Sequence, residues 1–160
     1  MTNNDILKRL RYMFDFKDHK MASIFAQADM PVPIHEVTRF LIDHNDEDFI
    51  DLSDHQLAGF LNGLINNNRG KREGVQQVNE DRLTNNQILV KLKIALELRS
   101  DDIVKVFDLV EVKVSEHEIS SFLRNPKQRQ YRPCKDQYLR NFLMGLQIKY
   151  RPKGDNGSKE

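Results

Sequence analysis

The sequence is poor in the residues that mark several large classes of protein. It has a single cysteine, Cys134, which excludes an internal disulfide framework and is typical of a reducing compartment. It has no tryptophan and, in 160 residues, only 7 glycines and 5 prolines, so it is neither collagen-like nor of low complexity. No apolar run approaches the roughly 18 residues of a membrane span. The amino terminus lacks a charged and then apolar leader, so we expect a cytoplasmic protein with no membrane segment.

The sequence also lacks the common catalytic and metal-binding motifs. There is no glycine-rich phosphate loop, no GxSxG turn and no HExxH pair. The acidic stretch 43–54 departs from a calcium-binding loop, because Asp48 stands where the sharp turn needs glycine and Asp54 where a bidentate glutamate is needed. We therefore expect no cofactor and no bound metal.

What the sequence does contain is a long internal repeat. Residues 2–65 align with 84–147 without a gap, and 18 of the 64 pairs are identical. Unrelated sequences of average composition would match at roughly one position in sixteen. Both copies begin with Thr-Asn-Asn, at Thr2 and Thr84, and both carry the pattern DxxLxxFLxGL near their ends. The chain is therefore an internal duplication.

Apolar residues recur at helical spacing in each copy, and four stripes predict four short helices per copy. The predicted fold is all-α, with two tandem copies of a small four-helix module related by a pseudo-twofold axis. In the first copy the predicted helices cover about 3–14, 18–29, 34–43 and 54–66. The predicted organisation is a first repeat at 2–65, a polar linker at 66–83, a second repeat at 84–150 and a disordered tail at 151–160.

Several residues predict how the helices begin and pack. Thr2, Thr84 and Ser115 each precede a helix and are followed three residues later by Asp, Gln or Glu, which is the pattern of a capping box. Gly63 and Gly145 lie inside the fourth helix of each copy, where glycine costs about 1 kcal/mol relative to alanine. Glycine at both positions predicts a close helix crossing.

Two pairs of equivalent polar residues are candidates for a shared site. His35 and His117 each precede a glutamate, and Asp54 and Asp136 open equivalent helices. Each copy offers too few adjacent ligands for a metal or acid–base site, so local structure explains the histidines and helix capping the aspartates. An enzyme with a pocket between the copies, lined by these four residues, is the minor alternative, and no residue is assigned as catalytic. Cys134 aligns with Leu52, which indicates a buried apolar position rather than a nucleophile.

The two copies differ in charge. The first has a net charge of −5 and the second +3. Residues 42–51 carry five acids and no Lys or Arg, whereas the equivalent residues 124–133 carry four basic side chains and no acid. Basic side chains interleaved with tyrosines are suited to phosphate contacts and base stacking. The candidate partner-binding residues are Arg124, Lys127, Arg129, Tyr131, Arg132, Lys135, Arg140, Lys149 and Arg151.

These features indicate a non-enzymatic protein that binds a macromolecule through a basic carboxy-terminal face. The partner is expected to be either a nucleic-acid backbone or an acidic protein. Opposite charges at equivalent loops also permit head-to-tail association between molecules, so a self-assembling adaptor, and hence a homo-oligomer, is the alternative.

The paired TNNxIL starts and the DxxLxxFLxGL patterns at 54–64 and 136–146 resemble the YehS-like bacterial proteins, which consist of two copies of a domain of unknown function. The similarity covers residues 2–151. The second copy, with YRPCKDQYLRNFLMGL, is similar to the fuller form of the family pattern, whereas the first copy has Leu52 in place of the cysteine. The resemblance implies a cytoplasmic bacterial protein and no known reaction, cofactor or catalytic residue.

Overall fold

The apolar stripes of both copies form helices in the computed structural model, which describes residues 1–152. That range contains eight α-helices and no strand. The first copy holds α1 (Asn3–Phe14), α2 (Asp18–Ala26), α3 (Ile34–Leu41) and α4 (Asp54–Arg69). The second holds α5 (Asn85–Ala95), α6 (Ser100–Asp108), α7 (Glu116–Leu123) and α8 (Asp136–Tyr150). The predicted duplicated, all-α fold is confirmed. Most of the predicted disordered tail, residues 153–160, lies outside the described residues.

The predicted capping boxes are present at the helix starts. The Asp5 amide donates to the Thr2 hydroxyl at 3.1 Å, and the Thr2 amide donates to the Asp5 carboxylate at 2.9 Å. The latter bond is the main cause that lowers the pKa of Asp5. Thr84 and Ser115 make the same reciprocal bonds with the residues three positions on. Each such cap stabilises its helix by about 1 kcal/mol.

The second asparagine of the first Thr-Asn-Asn is buried and ties α1 to the loop between α3 and α4. The Asn4 amide nitrogen donates to the carbonyl oxygens of Phe40 and Ile50, at 3.0 and 2.9 Å. Its oxygen accepts from the Leu52 amide at 2.9 Å. One side chain thus satisfies three backbone groups from the far end of the repeat, two in buried bonds and one in a partly buried bond.

The second copy repeats this arrangement with its own residues. Asn86 donates to the carbonyl oxygens of Phe122 and Arg132, at 3.0 and 2.8 Å, and accepts from the Cys134 amide at 2.8 Å. We refer to the Asn4 and Asn86 arrangements as the asparagine clasps. The clasps explain why both copies have a second asparagine after the threonine. Helix capping by the threonine does not explain it.

The first asparagine of each Thr-Asn-Asn accounts for the shared aspartates. Asn3 donates to the Asp54 carboxylate at 2.8 Å, and Asn85 donates to the Asp136 carboxylate at 2.7 Å. Asp54 also accepts from the Leu83 amide at 3.0 Å. Both aspartates open their helices, where a carboxylate complements the dipole as predicted. Their additional role, holding the start of α1 or α5 against the fourth helix of the same copy, was not predicted.

Within each copy the fourth helix crosses the second at its glycine, as predicted. A Cβ at Gly63 would meet the backbone carbonyl of Ile24, and one at Gly145 would meet the carbonyl of Val106. α2 therefore packs on α4, and α6 on α8, with backbone against backbone.

The two copies pack through parallel helices. α4 packs against α5, and α8 packs against α1. Exchanging the two copies converts the first contact into the second, in accord with the pseudo-twofold axis. The end of α4 meets the end of α5, where Asn68 donates to the Ala95 carbonyl at 2.9 Å. Likewise Arg151, just after α8, donates to the Tyr12 carbonyl near the end of α1 at 2.7 Å. Because parallel neighbours cannot be joined by a tight turn, the connection must return along α4.

The connection is shorter than predicted, because residues 66–69 belong to α4. The asparagines there are part of the packing: Asn66, for example, donates to the Gln27 carbonyl at 2.8 Å. The remaining residues, 70–83, form the linker, and its second half is docked. Asn62 of α4 donates to the Val78 carbonyl at 3.0 Å and to the Asn79 side chain at 2.9 Å.

A buried charge joins the linker to both copies. The Lys91 side chain of α5 is only 6% exposed, and its ammonium donates to the Asn62 side chain at 2.8 Å. It also forms an ion pair of 3.1 Å with Glu80 of the linker. A buried ammonium needs such partners, since an uncompensated charge in an apolar environment is costly.

We expect Gly145→Ala to lower the free energy of unfolding by about 2 kcal/mol, because its methyl group would overlap the Val106 backbone of α6. Gly59→Ala is the matched control, since its methyl group would meet only the flexible end of the Met30 side chain. Urea denaturation monitored by circular dichroism measures both. Equal losses in the two variants would contradict the backbone crossing.

We expect Asn4→Ala to lower the free energy of unfolding by about 3 kcal/mol, because two buried backbone groups and one partly buried group lose their partner. The control is Asn45→Ala, an exposed side chain in the loop that follows α3. The same urea titration should show a large shift for the first variant and little for the second. A shift below about 1 kcal/mol for Asn4→Ala would show that the clasp is dispensable.

Candidate nucleic-acid interface

The basic loop between α7 and α8 is held by backbone hydrogen bonds. The Gln128 amide donates to the Asn125 carbonyl at 2.9 Å, and the Tyr131 amide donates to the Gln128 carbonyl at 3.1 Å. The Arg132 amide then donates to the Ser121 carbonyl at 3.1 Å. Together with the Asn86 clasp, these bonds hold the loop backbone in one conformation, so its side chains project from a fixed frame.

The acidic loop of the first copy has the same backbone bonds. The Asp46 amide donates to the Asp43 carbonyl at 2.9 Å, and the Phe49 amide donates to the Asp46 carbonyl at 3.1 Å. The Ile50 amide donates to the Arg39 carbonyl at 3.1 Å. The two loops therefore share a fold and differ in charge. The basic character of the second loop is not needed to form it.

Three shallow cavities surround the basic loop. They have volumes of about 430, 280 and 400 Å³. Tyr131 lines both the first and the second, and His117 and Arg132 line both the second and the third, so the three join into one surface. We call this surface the basic loop face. Its basic and tyrosine side chains are Arg124, Arg129, Tyr131, Arg132, Lys135, His117 and Tyr138, with Lys127 on the same loop, and Glu80, Lys91, Glu118 and Phe122 also line the cavities.

The cations of the basic loop face are available to a ligand. Lys127, Arg129, Arg132 and Lys135 are exposed, and none of them forms an ion pair within residues 1–152. Tyr131 and Tyr138 are half-buried, and the Tyr138 ring packs on Phe122 and Phe107, with ring centroids 5.2 and 6.3 Å apart. The face can therefore supply several cations without ion-pair partners beside two partly exposed tyrosines.

Three of the predicted partner-binding residues lie elsewhere. Arg140 lines a separate cavity between α1 and α8. Lys149 and Arg151 are at the other end of α8, about 20 Å from the basic loop for a helix of this length. Arg151 has an internal role, because its guanidinium stacks 4.1 Å from the Tyr12 ring centre and pairs with Asp15 at 3.7 Å. The predicted set thus divides into one cluster on the loop and separate residues along α8.

The structure does not bring together the residues of the alternative enzyme site. α3, which carries His35, packs on α1 and α2, whereas α7, which carries His117, packs on α5 and α6. Asp54 and Asp136 are each bonded to the asparagine of their own copy. Among residues 1–152, no group of three or more His, Cys, Asp or Glu side chains is placed to hold a metal ion.

Sequence reasoning missed two residues of the basic loop face. His117 was interpreted as local structure, and Tyr138 was noted only as one of the tyrosines. The signal for Tyr138 was its position one turn into α8, beside the loop. The signal for His117 was its position in the first turn of α7, which neighbours the same loop in space.

Comparison with known proteins agrees with this duplicated architecture. The family model described as "Protein of unknown function (DUF1456)" matches twice, at residues 3–70 and 85–152. The chain belongs to the DUF1456 family. It is 36% identical over 147 residues to "Uncharacterized protein YehS" of Escherichia coli (strain K12), which covers 91% of this chain and 94% of that protein. The resemblance noted from the paired motifs is thus confirmed. No solved structure matches the chain.

Membership of the DUF1456 family assigns no activity, substrate or partner. The structure adds one physical statement about location, which is that none of the helices in residues 1–152 is long and apolar enough to cross a bilayer. The cytoplasmic location stays a prediction.

The cysteine of the DUF1456 chain is buried beneath the basic loop. Cys134 is 5% exposed and lies in the apolar core, as its alignment with Leu52 predicted. Burial, with a smaller contribution from the Asp136 charge, raises the pKa of the Cys134 thiol to about 12. The thiol is therefore protonated at physiological pH, and a protonated thiol is a poor nucleophile.

We expect Cys134 to react with a disulfide reagent at pH 8 more than about 100-fold more slowly than a free thiol, since the raised pKa leaves almost no thiolate. The release of thionitrobenzoate measures the rate. Reaction in 8 M urea should reach the ordinary rate and serves as the control. Rapid reaction of the folded protein would contradict the buried position.

Proposed function

We propose that the chain is a non-enzymatic binding protein whose basic loop face holds the phosphate backbone of single-stranded nucleic acid. The observation that carries this proposal is the contrast between two loops of one backbone conformation, of which only the second is basic. Because the fold does not require those charges, their presence supports a role in binding.

The chemistry of the face favours nucleic acid over an acidic protein. Arg129, Arg132 and Lys135 can pair with phosphates, and a guanidinium can contact two phosphate oxygens at once. Tyr131 and Tyr138 line the same cavities as these cations, and their exposed parts can contact bases. An acidic peptide would use the cations and leave the rings without a matching group.

A single strand fits the face better than a duplex. The basic loop face consists of three shallow cavities around a short loop, and its four exposed cations lie on the loop, where no helix could carry them into the major groove. The first turn of α7 carries Glu116 and Glu118, which would face the phosphates of a docked duplex. Glu118 also lines the third cavity, where its carboxylate accepts a hydrogen bond from the Ser115 amide at 3.3 Å, and a flexible strand can follow the loop beside it.

Within residues 1–152, the equivalent aspartates and the cysteine have structural roles, which is in keeping with a binding role. The aspartates equivalent in the two copies are engaged by asparagines, and the Cys134 thiol is held protonated. We therefore propose that the chain binds its partner without catalysing a reaction.

The test is fluorescence anisotropy with a labelled 20-nucleotide single strand of uridines. If the four exposed cations contact phosphates, the binding constant should fall about 50-fold between 50 and 200 mM salt, from a slope of roughly 0.7 per contact. The double variant Arg129→Glu/Arg132→Glu should bind at least about tenfold more weakly. The matched control is Lys113→Glu/Lys149→Glu, which changes the net charge equally at exposed positions off the face and should bind normally.

Two outcomes would overturn this proposal. Equal weakening of both double variants would show only a general charge effect. A salt-sensitive oligomer of the unmodified protein, detected by light scattering and lost in Arg129→Glu/Arg132→Glu, would identify the acidic loop of a second copy as the partner and establish the self-assembly alternative.

A further inference from the structure

The linker shows how this fold binds an extended segment. Residues 78–80 lie across α4 and α5, held by the Asn62 amide and by the ion pair between Glu80 and Lys91. Asn79 also donates to the Ala28 carbonyl beyond the end of α2, at 3.2 Å. The linker therefore binds to the α4 surface, the end of α2 and a cation on α5, and we call this binding surface the linker seat.

The pseudo-twofold axis places an equivalent seat on α8, α6 and α1. No segment within residues 1–152 is held across α8 in this way. At the equivalent of Asn62, which is 1% exposed, α8 carries Met144, which is 41% exposed. The equivalents of Asn66 and Gln27 are Ile148 and Leu109, which are 44% and 45% exposed.

These exposed apolar residues form one surface. Arg140, Met144 and Ile148 are spaced four apart on α8 and so lie on one face of the helix. Leu109 follows α6 at the position whose equivalent in the first copy, Gln27, accepts a hydrogen bond from Asn66. In the first copy amide side chains occupy these places: Asn62 bonds to the linker, Asn66 to the Gln27 backbone, and the Gln27 side chain to Asn67. In the second copy the places are apolar and open.

The equivalent surface on α8 and α1 also has a cation, and two further cations lie beside it. Arg9 of α1 is the equivalent of Lys91, and it lines a cavity of about 560 Å³ together with Lys8 and Arg140. None of these three side chains forms an ion pair in the described part of the chain. The one carboxylate in the cavity, Asp5, is engaged by the Thr2 amide.

We propose that the groove between α1 and α8 binds an extended acidic segment of a partner protein, in the manner in which the linker binds α4 and α5. A carboxylate of the segment lies beside Arg9, as Glu80 lies beside Lys91. The side chain one position earlier is apolar and packs on Met144 and Ile148, where Asn79 packs beside Asn62. Lys8 and Arg140 favour a second carboxylate.

Charge and shape together select this occupant. Three cations at one end of an apolar stripe match a peptide that carries acids next to an apolar residue. Nucleic acid would satisfy the cations but leave Met144, Ile148 and Leu109 facing water. The site lies on a different part of α8 from the basic loop face, so the two proposals are independent.

The probe is a fluorescein-labelled peptide with the linker sequence 74–83 and the substitution Asn79→Leu, GVQQVLEDRL, measured by anisotropy against the full chain. We expect saturable binding that weakens at least about tenfold for Arg9→Glu and for Met144→Asp. The peptide that additionally carries Glu80→Lys should not bind. Lys127→Glu, which reverses one exposed charge on the basic loop and outside the groove, is the matched control and should bind the probe normally.

The variant Arg129→Glu/Arg132→Glu separates this site from the basic loop face. Undiminished peptide binding by that variant supports the groove, whatever becomes of nucleic-acid binding. Peptide binding lost in that variant and kept in Arg9→Glu would overturn the proposal, as would no binding at all. A dimer of the unmodified chain that Met144→Asp dissociates would also overturn it, because a second copy would then cover the apolar surface.

Discussion

A buried asparagine amide holds each repeat together. A chain of about 70 residues forms only a small core, so the burial of apolar groups alone leaves it marginally stable. In each copy the clasp joins the first helix to the end of the third helix and to the segment before the fourth, which are remote in sequence and adjacent in space. It does so with one side chain that satisfies three backbone groups, two carbonyls and one amide. The loop conformation follows from these bonds and from turns in which Asp43 and Asp46, or Asn125 and Gln128, accept hydrogen bonds from loop amides. It is independent of the Lys and Arg side chains of the basic loop. That independence lets the same loop carry five acids in one copy and four basic residues in the other.

The second constraint is the parallel contact between the copies. Because α4 and α5 run in the same direction, the linker must run back along α4. The returning segment makes contacts that stabilise the interface between the copies. Glu80 compensates the buried ammonium of Lys91, and Asn62 bonds to both Lys91 and the linker backbone. The linker is therefore part of the interface as well as a connection between the copies. The other parallel contact, α8 with α1, is fastened at its end by Arg151 on Tyr12 and Asp15. The groove beside it keeps the cations and presents apolar side chains.

The sequence predicted those features that depend on local periodicity. The apolar stripes located all four helices of the first copy, with errors of a few residues at their ends, and Thr2 was correctly interpreted as a cap. Gly63 and Gly145 were correctly interpreted as crossings, because repetition at equivalent positions exposes a constraint that one copy would hide. The clasp was missed because Asn4 bonds to residues 36 to 48 positions away, and no local pattern encodes that distance. For the same reason Arg151 was grouped with the basic loop although its partners are on α1, and residues 66–69 were assigned to the linker although their asparagines extend α4. Of the candidate binding residues, those on the loop are adjacent in sequence and in space, whereas those on α8 share only their charge.

The pseudo-twofold arrangement means that the chain is, in physical terms, a homodimer whose two subunits have been joined by a tether. In a true homodimer every substitution appears on both sides of the axis, so a residue that helps one interface must be tolerated in the other. Joining the subunits removes that condition. Arg9 is structurally equivalent to Lys91, and Met144 is equivalent to Asn62. Because each residue is encoded separately, the two members of a pair can serve different purposes. The linker covers the surface formed by α4 and α5. The equivalent surface formed by α8 and α1 can therefore vary without loss of the shared core.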